Sequence, residues 1–333
     1  MAPLRIGMLS FAHEGHAASY AACLQQIPGV ELAGIADDDE ARGRGYAERL
    51  GTGYVADYRD LLARDDIGAV IVCSENARHR EIVAAAAAAG KHVLCEKPLA
   101  TTRDDALAMI AACRDNNVKL QIAFPMRFSP PAVALREAVR GGAIGTPLMV
   151  QATNPGRMPP GWFSDPELAG GGAVMDHTVH VADMLRWIFE REITSVYAEI
   201  DTRIHPGLPT DDVGLIMLGL DGGISASLDA SWARAKTWPI WGGVTMDVIG
   251  DQGVLSLNAF NQNVQLYDDR AGRYSLVPFS ASGDPVLVRS FVDAIRDDTP
   301  PPVTGEDGLR ALEVTLCAYE SARRREVVAC PLG

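Results

Sequence analysis

The alternation of short apolar runs with helical patterns in the first third of the chain most strongly restricts its fold. Strand-like runs occur at RIGMLSF, VELAGIAD, YVAD and AVIVCSE, and helical patterns over 17–26, 39–50 and 58–65 separate them. Helical patterns over 78–89 and 103–116 follow, and the runs KHVLCEKP and KLQIAFP come directly after them. Strands that alternate with helices in this way predict a parallel, doubly wound sheet.

The rest of the chain has a different pattern. A loop rich in Gly and Pro over 154–172 precedes a predicted helix over 174–189, and alternating apolar runs joined by short turns follow. Two helical patterns, over 286–297 and 305–325, close the chain. We therefore predict an N-terminal Rossmann domain over 1–124. We predict a C-terminal α/β domain, built on a large, mostly antiparallel open sheet, over 125–333.

Charge and cysteine usage restrict the partners. Lys plus Arg number 30 against 43 Asp plus Glu, which gives a net charge of −13, and the basic residues form no cluster for nucleic acid or an anionic membrane. The strongly apolar stretch over 82–89 is far shorter than the ~20 residues that span a bilayer. The N-terminus has no signal-peptide pattern, and the six cysteines form no CxxC pair. We expect a cytoplasmic protein that acts on small molecules.

The turn after the first predicted strand corresponds to the phosphate-binding turn of dinucleotide folds. The positions of its GxGxxG pattern read Ser10-Phe11-Ala12-His13-Glu14-Gly15, so that only Gly15 keeps a glycine. Ser10 and Ala12 indicate a changed loop path. A structural turn without a ligand is the alternative, and a further hypothesis is that His13 or His16 replaces lost contacts to the pyrophosphate.

Asp37 ends the second predicted strand, about twenty residues further on, where a carboxylate can accept a hydrogen bond from a ribose 2′-hydroxyl. The neighbouring Asp38, Asp39 and Glu40 would repel a 2′-phosphate. This favours NAD over NADP. The alternative is that the acidic cluster caps the next helix.

The segment GKHVLCEKP over 90–98 resembles the Glu-Lys-Pro signature of the Gfo/Idh/MocA oxidoreductases. The resemblance continues in family order through Arg127-Phe128 with Pro130, a glycine run over 170–172, Asp176, His180, Asp183 and VTGEDG over 303–308. It covers nearly the whole chain. It implies that 1–124 binds NAD, and that 125–333 binds substrate and forms a homodimer or homotetramer.

The position of Lys97 has a physical explanation in addition to the resemblance to the family. Pro98 biases it away from helix, so that its ammonium is presented at the end of a strand, where ligands bind in open α/β sheets. A cation there would stabilise an alkoxide. The alternative is a surface lysine.

Asp176 and His180 are four residues apart, and Asp183 follows on the same predicted helix face. The resemblance implies that His180 is the general base toward a substrate hydroxyl, that Asp176 orients His180 and Lys97, and that Asp183 supports the structure. The alternative is a helix cap at Asp176 and a core histidine at His180. With His177 these residues could also bind a divalent ion, but the resemblance implies catalysis without metal.

Further site residues follow from the resemblance. Besides the turn at 10–15 and Asp37, cofactor contacts are expected from Ser74, Glu75, Asn76, His79, Glu96, Lys97 and Arg127. Substrate contacts are expected from Lys97, Arg127, Trp162, Phe163, Asp176, His177 and His180. For the two aromatic residues, a place in the core between the domains is the alternative.

The sequence thus predicts an NAD-dependent dehydrogenase or reductase that acts on a secondary alcohol of a sugar, cyclitol or related polyol. One alternative is an enzyme that retains NAD and cleaves a glycosidic bond through transient oxidation. Another is a ligand sensor on the same fold, for which loss of Lys97 or His180 would be the sign. Both residues are present.

Overall fold

The computed structural model describes residues 3–260, 263–268, 273–278 and 282–332. The helices are α1 (Glu14–Leu24), α2 (Glu40–Leu50), α3 (Tyr58–Leu62), α4 (His79–Ala88), α5 (Arg103–Asp115), α6 (Pro130–Arg140), α7 (Pro166–Ala169), α8 (Ala173–Phe189), α9 (Asp284–Arg296) and α10 (Gly305–Arg324). The strands are β1 (Leu4–Leu9), β2 (Val30–Ala36), β3 (Tyr54–Val55), β4 (Ala69–Val72), β5 (His92–Cys95), β6 (Leu120–Ile122), β7 (Pro147–Thr153), β8 (Ile193–Asp201), β9 (Val213–Leu220), β10 (Ser225–Asp229), β11 (Thr245–Gly250), β12 (Val254–Asn258), β13 (Asn263–Asp268), β14 (Arg273–Pro278) and β15 (Val328–Ala329).

Backbone contacts divide the chain into two compact units. The first combines the described residues up to Phe124 with Asp284–Leu309, and the second combines the described part of Pro125–Gly283 with the residues from Arg310 onward. This differs from the predicted division, which placed all of 125–333 in the second domain. The reason is that α9 packs against α1, where Ser19 Oγ donates to Asp284 Oδ2 at 2.5 Å.

The first unit contains a six-stranded sheet in the order β3-β2-β1-β4-β5-β6, and every neighbouring pair is parallel. All four residues of β4 are buried, as in strands that helices cover on both faces. The predicted doubly wound sheet is confirmed. Strand order reverses between β1 and β4, and ligands of such sheets bind at the carboxyl ends of the strands on either side of this point.

Local signals set the helix bounds. Asp39 is the N-cap of α2, and its side chain accepts a hydrogen bond from the Arg42 amide at 2.9 Å. Gly51 ends that helix in the left-handed conformation, with φ of 67°. The capping interpretation of the acidic cluster therefore holds for Asp39. The eight helices that the sequence predicted begin and end within three residues of the predicted bounds.

The second unit contains a seven-stranded sheet in the order β12-β11-β7-β10-β9-β8-β15. Among these described pairs, β7–β10 is parallel and the others are antiparallel, which confirms a mostly antiparallel sheet. β13 and β14 pair separately as an antiparallel two-stranded sheet. Helix α6, which the sequence analysis missed, begins with two prolines and buries Ala132, Leu135 and Val139.

The seven-stranded sheet is covered on one face. Helix α8 packs against β8 and β9, where Ile216 and Leu218 are buried. The alternate residues of β9 point away from this core, and Leu215 and Met217 are 56% and 47% exposed. The sheet therefore presents apolar side chains on its open face. No helix in the described ranges has the length and apolarity needed to span a bilayer.

Candidate functional site

The turn after β1 replaces the first glycine of the dinucleotide pattern with a serine in a glycine-like conformation. Ser10 has φ of 69°, in the left-handed region that favours glycine. Its amide donates to the Ala36 carbonyl at 2.7 Å, and its Oγ accepts from the Ala12 amide at 3.1 Å. The Ser10 hydroxyl thus stabilises this turn, although the backbone conformation is unfavourable for a residue other than glycine.

The next residues of the turn place a helix N-terminus beside open space. Phe11 is fully buried and stacks on Tyr46, with ring centroids 4.3 Å apart. Gly15 lies in the first turn of α1, where an added Cβ would meet no atom within 4 Å. In the described part of the chain, the N-cap residue His13 makes no side-chain cap hydrogen bond. The first-turn amides and this open space fit a pyrophosphate.

Asp37 follows β2 and is 2% exposed. Its carboxylate accepts from the Phe11 amide at 2.7 Å and from Arg42 Nε at 2.9 Å and Nη2 at 2.7 Å. The Asp39 amide donates to the same carboxylate at 2.9 Å. Asp37 therefore connects the turn after β1 to the start of α2.

The loop after β4 contributes polar residues at the same edge of the sheet. Ser74 and Asn76 are buried, and Glu75 lies 3.4 Å from Arg78 Nη1. Arg78 Nη1 also donates to Asp38 Oδ2 at 2.5 Å, which joins the carboxyl ends of β4 and β2. A pocket at this point is lined by Leu9, Ser10, Ala36, Asp37, Asp38, Ala56, Tyr58, Arg78 and Ile82.

His79 begins α4 and lies inside the protein. The ring is fully buried, with Nδ1 3.0 Å from the Pro98 carbonyl and Nε2 3.2 Å from the Ser74 carbonyl. Burial lowers the pKa of His79, so that the ring is neutral at pH 7. The ring therefore connects Pro98 to the loop after β4, and its expected contact with a cofactor stays a prediction.

Lys97 follows β5 and is 3% exposed, so that it is not a surface lysine. Its amide donates to Glu96 Oε2 at 3.1 Å, and Glu96 Oε1 lies 2.8 Å from His16 Nδ1. Burial alone would raise the pKa of Glu96, but the charge and hydrogen bond of His16, with His13 and Lys97, lower it below its ordinary range. Glu96 is therefore ionised beside the lysine.

His13, His16 and Glu96 each offer a ligand atom, and these atoms lie within 4.8 Å of one another. The two imidazole rings are stacked, with centroids 3.9 Å apart and planes 16° from parallel. Imidazole nitrogens bind metals through lone pairs in the ring plane, and the lone pairs of nearly parallel rings do not converge on one point. The arrangement suits an ion pair better than a metal ion.

In the second unit, a helix N-terminus positions the predicted catalytic residues. Asp211 caps α8: its carboxylate accepts from the Gly172 amide at 2.9 Å and from the Val174 amide at 2.8 Å. Tyr319 of α10 donates to Asp211 Oδ1 at 2.7 Å. A Cβ on Gly172 would lie 1.9 Å from the Asp211 carbonyl oxygen, and one on Gly171 would lie 2.2 Å from the Tyr319 hydroxyl. The glycine run therefore permits this close approach.

Asp176 lies in the first turn of α8 and is 5% exposed. Its Oδ2 accepts from Trp232 Nε1 at 3.3 Å and lies 3.1 Å from His177 Nε2, without the angles of a hydrogen bond to that ring. The His177 ring meets the Trp241 ring edge-on at 5.4 Å. Asp176 thus contacts His177 and Trp232, and its expected link to His180 stays a prediction.

His180 lies one helical turn beyond Asp176 and is partly exposed. Asp183 is fully buried, and Arg127 donates to it from Nε at 2.7 Å and from Nη2 at 2.5 Å. Arg127 is itself 7% exposed. Asp183 therefore has the supporting place expected of it. The structure shows Arg127 bound to Asp183, and its expected contacts with cofactor and substrate stay predictions.

Trp162 and Phe163 lie in a short 3-10 segment, Gly161–Ser164, within the glycine-rich loop. Their rings stack on each other with centroids 4.0 Å apart, and both residues are partly exposed. They are not part of the core of the second unit. A stacked, partly exposed aromatic pair of this kind can pack against the apolar face of a ligand ring.

Family models match both units of the chain. Residues 6–124 match the oxidoreductase family with an NAD-binding Rossmann fold, and residues 132–256 match the GFO/IDH/MocA C-terminal domain. The chain is also 32% identical over 337 residues to myo-inositol 2-dehydrogenase of Thermotoga maritima, with 98% of each chain covered. The chain belongs to the Gfo/Idh/MocA oxidoreductase family.

Other members of the Gfo/Idh/MocA family are similar along most of their length. A 1,5-anhydro-D-fructose reductase of Ensifer adhaerens is 30% identical, with 92% of each chain covered. The solved structure of GenD2 from gentamicin A biosynthesis, in complex with NAD, superposes with a TM-score of 0.92 at 25% identity and covers 100% of this chain and 97% of that one. A levoglucosan dehydrogenase in complex with NADH and levoglucosan gives a TM-score of 0.85 at 25% identity, with 99% and 100% covered.

Sequence reasoning missed three residues of this Gfo/Idh/MocA site. Asp211 and Tyr319 fix the start of α8, and Trp232 donates to Asp176. No local sequence pattern shows that the Asp-Asp pair before β9, or a tyrosine inside α10, contacts the start of α8. Each contact joins elements that are distant in the sequence, so that the fold alone reveals it.

Proposed function

We propose that the protein is an NAD-dependent dehydrogenase or reductase that acts on a secondary alcohol of a sugar, cyclitol or related polyol. The observation that carries this proposal is the buried Lys97 at the end of β5, beside an ionised Glu96, in a domain of the NAD-binding family. The names of the similar proteins support the substrate class, since they include inositol, apiose and levoglucosan dehydrogenases.

The residues at the carboxyl edge of the first sheet fit NAD. The first-turn amides of α1 and the open space at Gly15 suit the pyrophosphate, and carboxylates follow β2, where the adenosine ribose binds in such folds. When bound, the nicotinamide accepts or supplies the hydride. Ser10, Ala12 and the loop after β4 would contact the rest of the dinucleotide.

The chain's own residues move the proton and stabilise charge. His180 takes the hydroxyl proton in the oxidative direction and returns it in the reductive one, because a ring nitrogen of imidazole can both accept and donate a proton. The Lys97 ammonium stabilises the negative charge that develops on the substrate oxygen. Asp176, bound by Trp232, orients the base.

The test is titration of the purified protein with NAD and NADP, followed by an absorbance screen for reduced nicotinamide over a panel of sugars and inositols. We expect tight NAD binding and a substrate-dependent signal that disappears in Lys97→Ala and in His180→Ala. Lys119→Ala is the matched control, because Lys119 lies before β6, at the amino edge of the sheet, in an ion pair with Asp298.

Each alternative result has a defined meaning. NAD binding without net reduction, but with release of sugar from a glycoside, would indicate the redox-neutral enzyme. Binding without any turnover across the panel would indicate a sensor. Absence of NAD binding would contradict the proposal.

We further propose that the open face of the seven-stranded sheet packs on a second copy of the chain to form a homodimer or homotetramer. Leu215 and Met217 point out of this face, and Met149 of β7 is 42% exposed on the same sheet. An exposed apolar sheet face of this kind is typical of an interface.

We propose a cytoplasmic location because the cysteines form no disulfides among the described residues. Cys23, Cys73, Cys95, Cys113, Cys317 and Cys330 are free thiols, as expected of a reducing compartment. Cell fractionation followed by immunoblotting tests this location.

A further inference from the structure

Two cysteines of the second unit lie side by side at the end of the chain. Cys317 lies inside α10 and is fully buried, and its Sγ donates to the Ala329 carbonyl at 3.7 Å. That carbonyl belongs to the peptide bond before Cys330. The Cys330 thiol also hydrogen-bonds the Cys317 thiol directly. The two sulfur atoms are therefore neighbours, although 13 positions separate them in the sequence.

Regular structure holds the backbone around both cysteines. Val328 and Ala329 pair with β8 as strand β15, and the Cys330 amide donates to the Thr194 carbonyl at 2.9 Å. Cys317 lies in the interior of α10, a helix of 20 residues. The sheet edge and the helix therefore hold the two sulfur atoms near each other before any bond forms between them.

The surroundings of Cys317 favour the loss of its proton. Hydrogen bonds from the Cys330 thiol and the Leu332 amide lower the pKa of Cys317, and they outweigh burial and the charge of Glu313, which raise it. The hydrogen bond to Cys317, together with burial, raises the pKa of Cys330. An isolated thiol behaves differently, since burial raises the pKa of Cys113 to about 12. The pair thus forms a thiolate, the reactive species in disulfide exchange, more readily than a lone buried cysteine.

We propose that Cys317 and Cys330 form a reversible disulfide, so that the end of the chain is a site of thiol oxidation. The oxidant is a small disulfide such as glutathione disulfide. Cys330 is partly exposed whereas Cys317 is fully buried, and Cys330 is therefore the sulfur that the small disulfide reaches first. Neither NAD nor substrate takes part.

The exchange has two steps. In the first, the proton of Cys330 moves to the ionised Cys317, and the Cys330 sulfur attacks the S–S bond of glutathione disulfide. A mixed disulfide forms on Cys330, and the glutathione thiolate that leaves takes up a proton. In the second step Cys317 loses its proton, and its thiolate attacks the Cys330 sulfur, which releases the second glutathione. The protein loses two protons and two electrons, and glutathione disulfide gains them as two molecules of glutathione.

The bond would attach the end of the chain to α10 covalently. Strand β15 has two residues at the edge of the seven-stranded sheet, so that few backbone hydrogen bonds hold it when the thiols are reduced. A disulfide between Cys317 and Cys330 restricts the unfolded chain, and it should raise the thermal midpoint by about 5 °C. In a reducing compartment the thiols are the resting form, and the bond forms when the ratio of disulfide to thiol rises.

The test equilibrates the reduced full-length protein with glutathione buffers of rising disulfide content, and then applies alkylation, intact mass measurement and peptide mapping. For the wild type we expect an internal disulfide between Cys317 and Cys330, no retained glutathione, and reversal by dithiothreitol. Cys317→Ser removes the thiol that resolves the mixed disulfide, and it should retain glutathione on Cys330. Cys113→Ser removes a buried thiol of α5, and it should behave as the wild type.

Three results would overturn the proposal. The first is a native wild type that keeps both thiols free in the most oxidising buffer, and the second is a disulfide that joins other cysteines instead. The third is a folded Cys317→Ser protein that takes up no glutathione at Cys330. Circular dichroism shows whether each variant is folded, and the wild-type peptide map decides the pairing without any variant. An oxidised wild type that melts no higher than the reduced protein contradicts the covalent attachment of β15.

Discussion

Arg127 and Asp183 form a buried bidentate ion pair, in which Nε and Nη2 of the arginine donate to the two carboxylate oxygens at 2.7 and 2.5 Å. Their side chains are 8% and 0% exposed. The pair joins the segment after Phe124 to the middle of α8, since the two residues are 56 positions apart. Helix α8 is therefore fixed by an interaction inside its own unit.

Asp183→Asn tests this pair. The variant leaves a buried guanidinium without its countercharge, and it should lower the free energy of unfolding by about 3–5 kcal/mol. The measurement is the shift of the urea midpoint. Glu137→Gln on α6 removes a carboxylate that is exposed, and it should change stability by less than about 0.5 kcal/mol. Equal effects of the two substitutions would refute the structural importance of the pair.

Gly172→Ala tests the start of α8. An added Cβ would lie 1.9 Å from the Asp211 carbonyl oxygen, so that backbone must move and the cap of α8 must loosen. We expect a lower thermal midpoint and a lower kcat, with NAD affinity retained. Gly45→Ala on α2 has open space around its Cα and should stabilise the protein by about 1 kcal/mol. A Gly172→Ala protein as stable as the wild type would show that the close approach is wrong.

The His16–Glu96 pair predicts a pH dependence. Burial alone would lower the pKa of His16, and the positive charge of Lys97 also lowers it. The charge and hydrogen bond of Glu96, together with the charge of Asp284, outweigh these effects and raise the pKa above its ordinary value of 6.5. Because the pKa of His16 is raised in the folded state, the protonated ring stabilises the fold. This stabilisation is fully present below pH 6.5 and is lost as pH rises through the folded-state pKa. Glu96, with a lowered pKa, contributes above its ordinary 4.5 and loses this contribution as pH falls through its folded-state value.

His16→Gln should therefore lower the thermal midpoint most between pH 4.5 and 6.5, and progressively less on the alkaline side. Thermal melts of both proteins from pH 4.5 through 6.5 and on into the alkaline range measure the difference. His92→Gln should show the opposite trend, because burial lowers the pKa of His92. A difference that does not change with pH would mean that His16 is not charged in the pair.

Leu215→Glu combined with Met217→Glu tests the open sheet face. Two carboxylates on this face would repel their copies across an interface, and the protein should become monomeric in light scattering coupled to size exclusion. Leu107→Glu, on the exposed side of α5, should leave the oligomeric state unchanged. If the wild type is itself monomeric, the proposed homo-oligomer is ruled out.

The sequence allowed prediction of the elements whose signals are local. Helices α2 and α5 have capping residues at Asp39 and Thr102, and the strands of the first sheet are short apolar runs between helical patterns. Helix α6 was missed because its first two residues are prolines, which the sequence analysis did not take as the start of a helix. The order of site motifs along the chain was sufficient to identify the family before any geometry was known.

What the sequence by itself determined is the architecture of the two sheets, the family and the residue types of the site, because periodicity, caps and motifs are properties of neighbouring residues. Only the tertiary structure decided how those residues are used. It placed α9 with the first unit, enclosed His79 between two carbonyls, filled the acceptors of Asp37 and bound Tyr319 to Asp211 across 108 positions. The physical reason is that hydrogen-bond saturation and burial depend on which distant groups the fold brings within about 3 Å of one another.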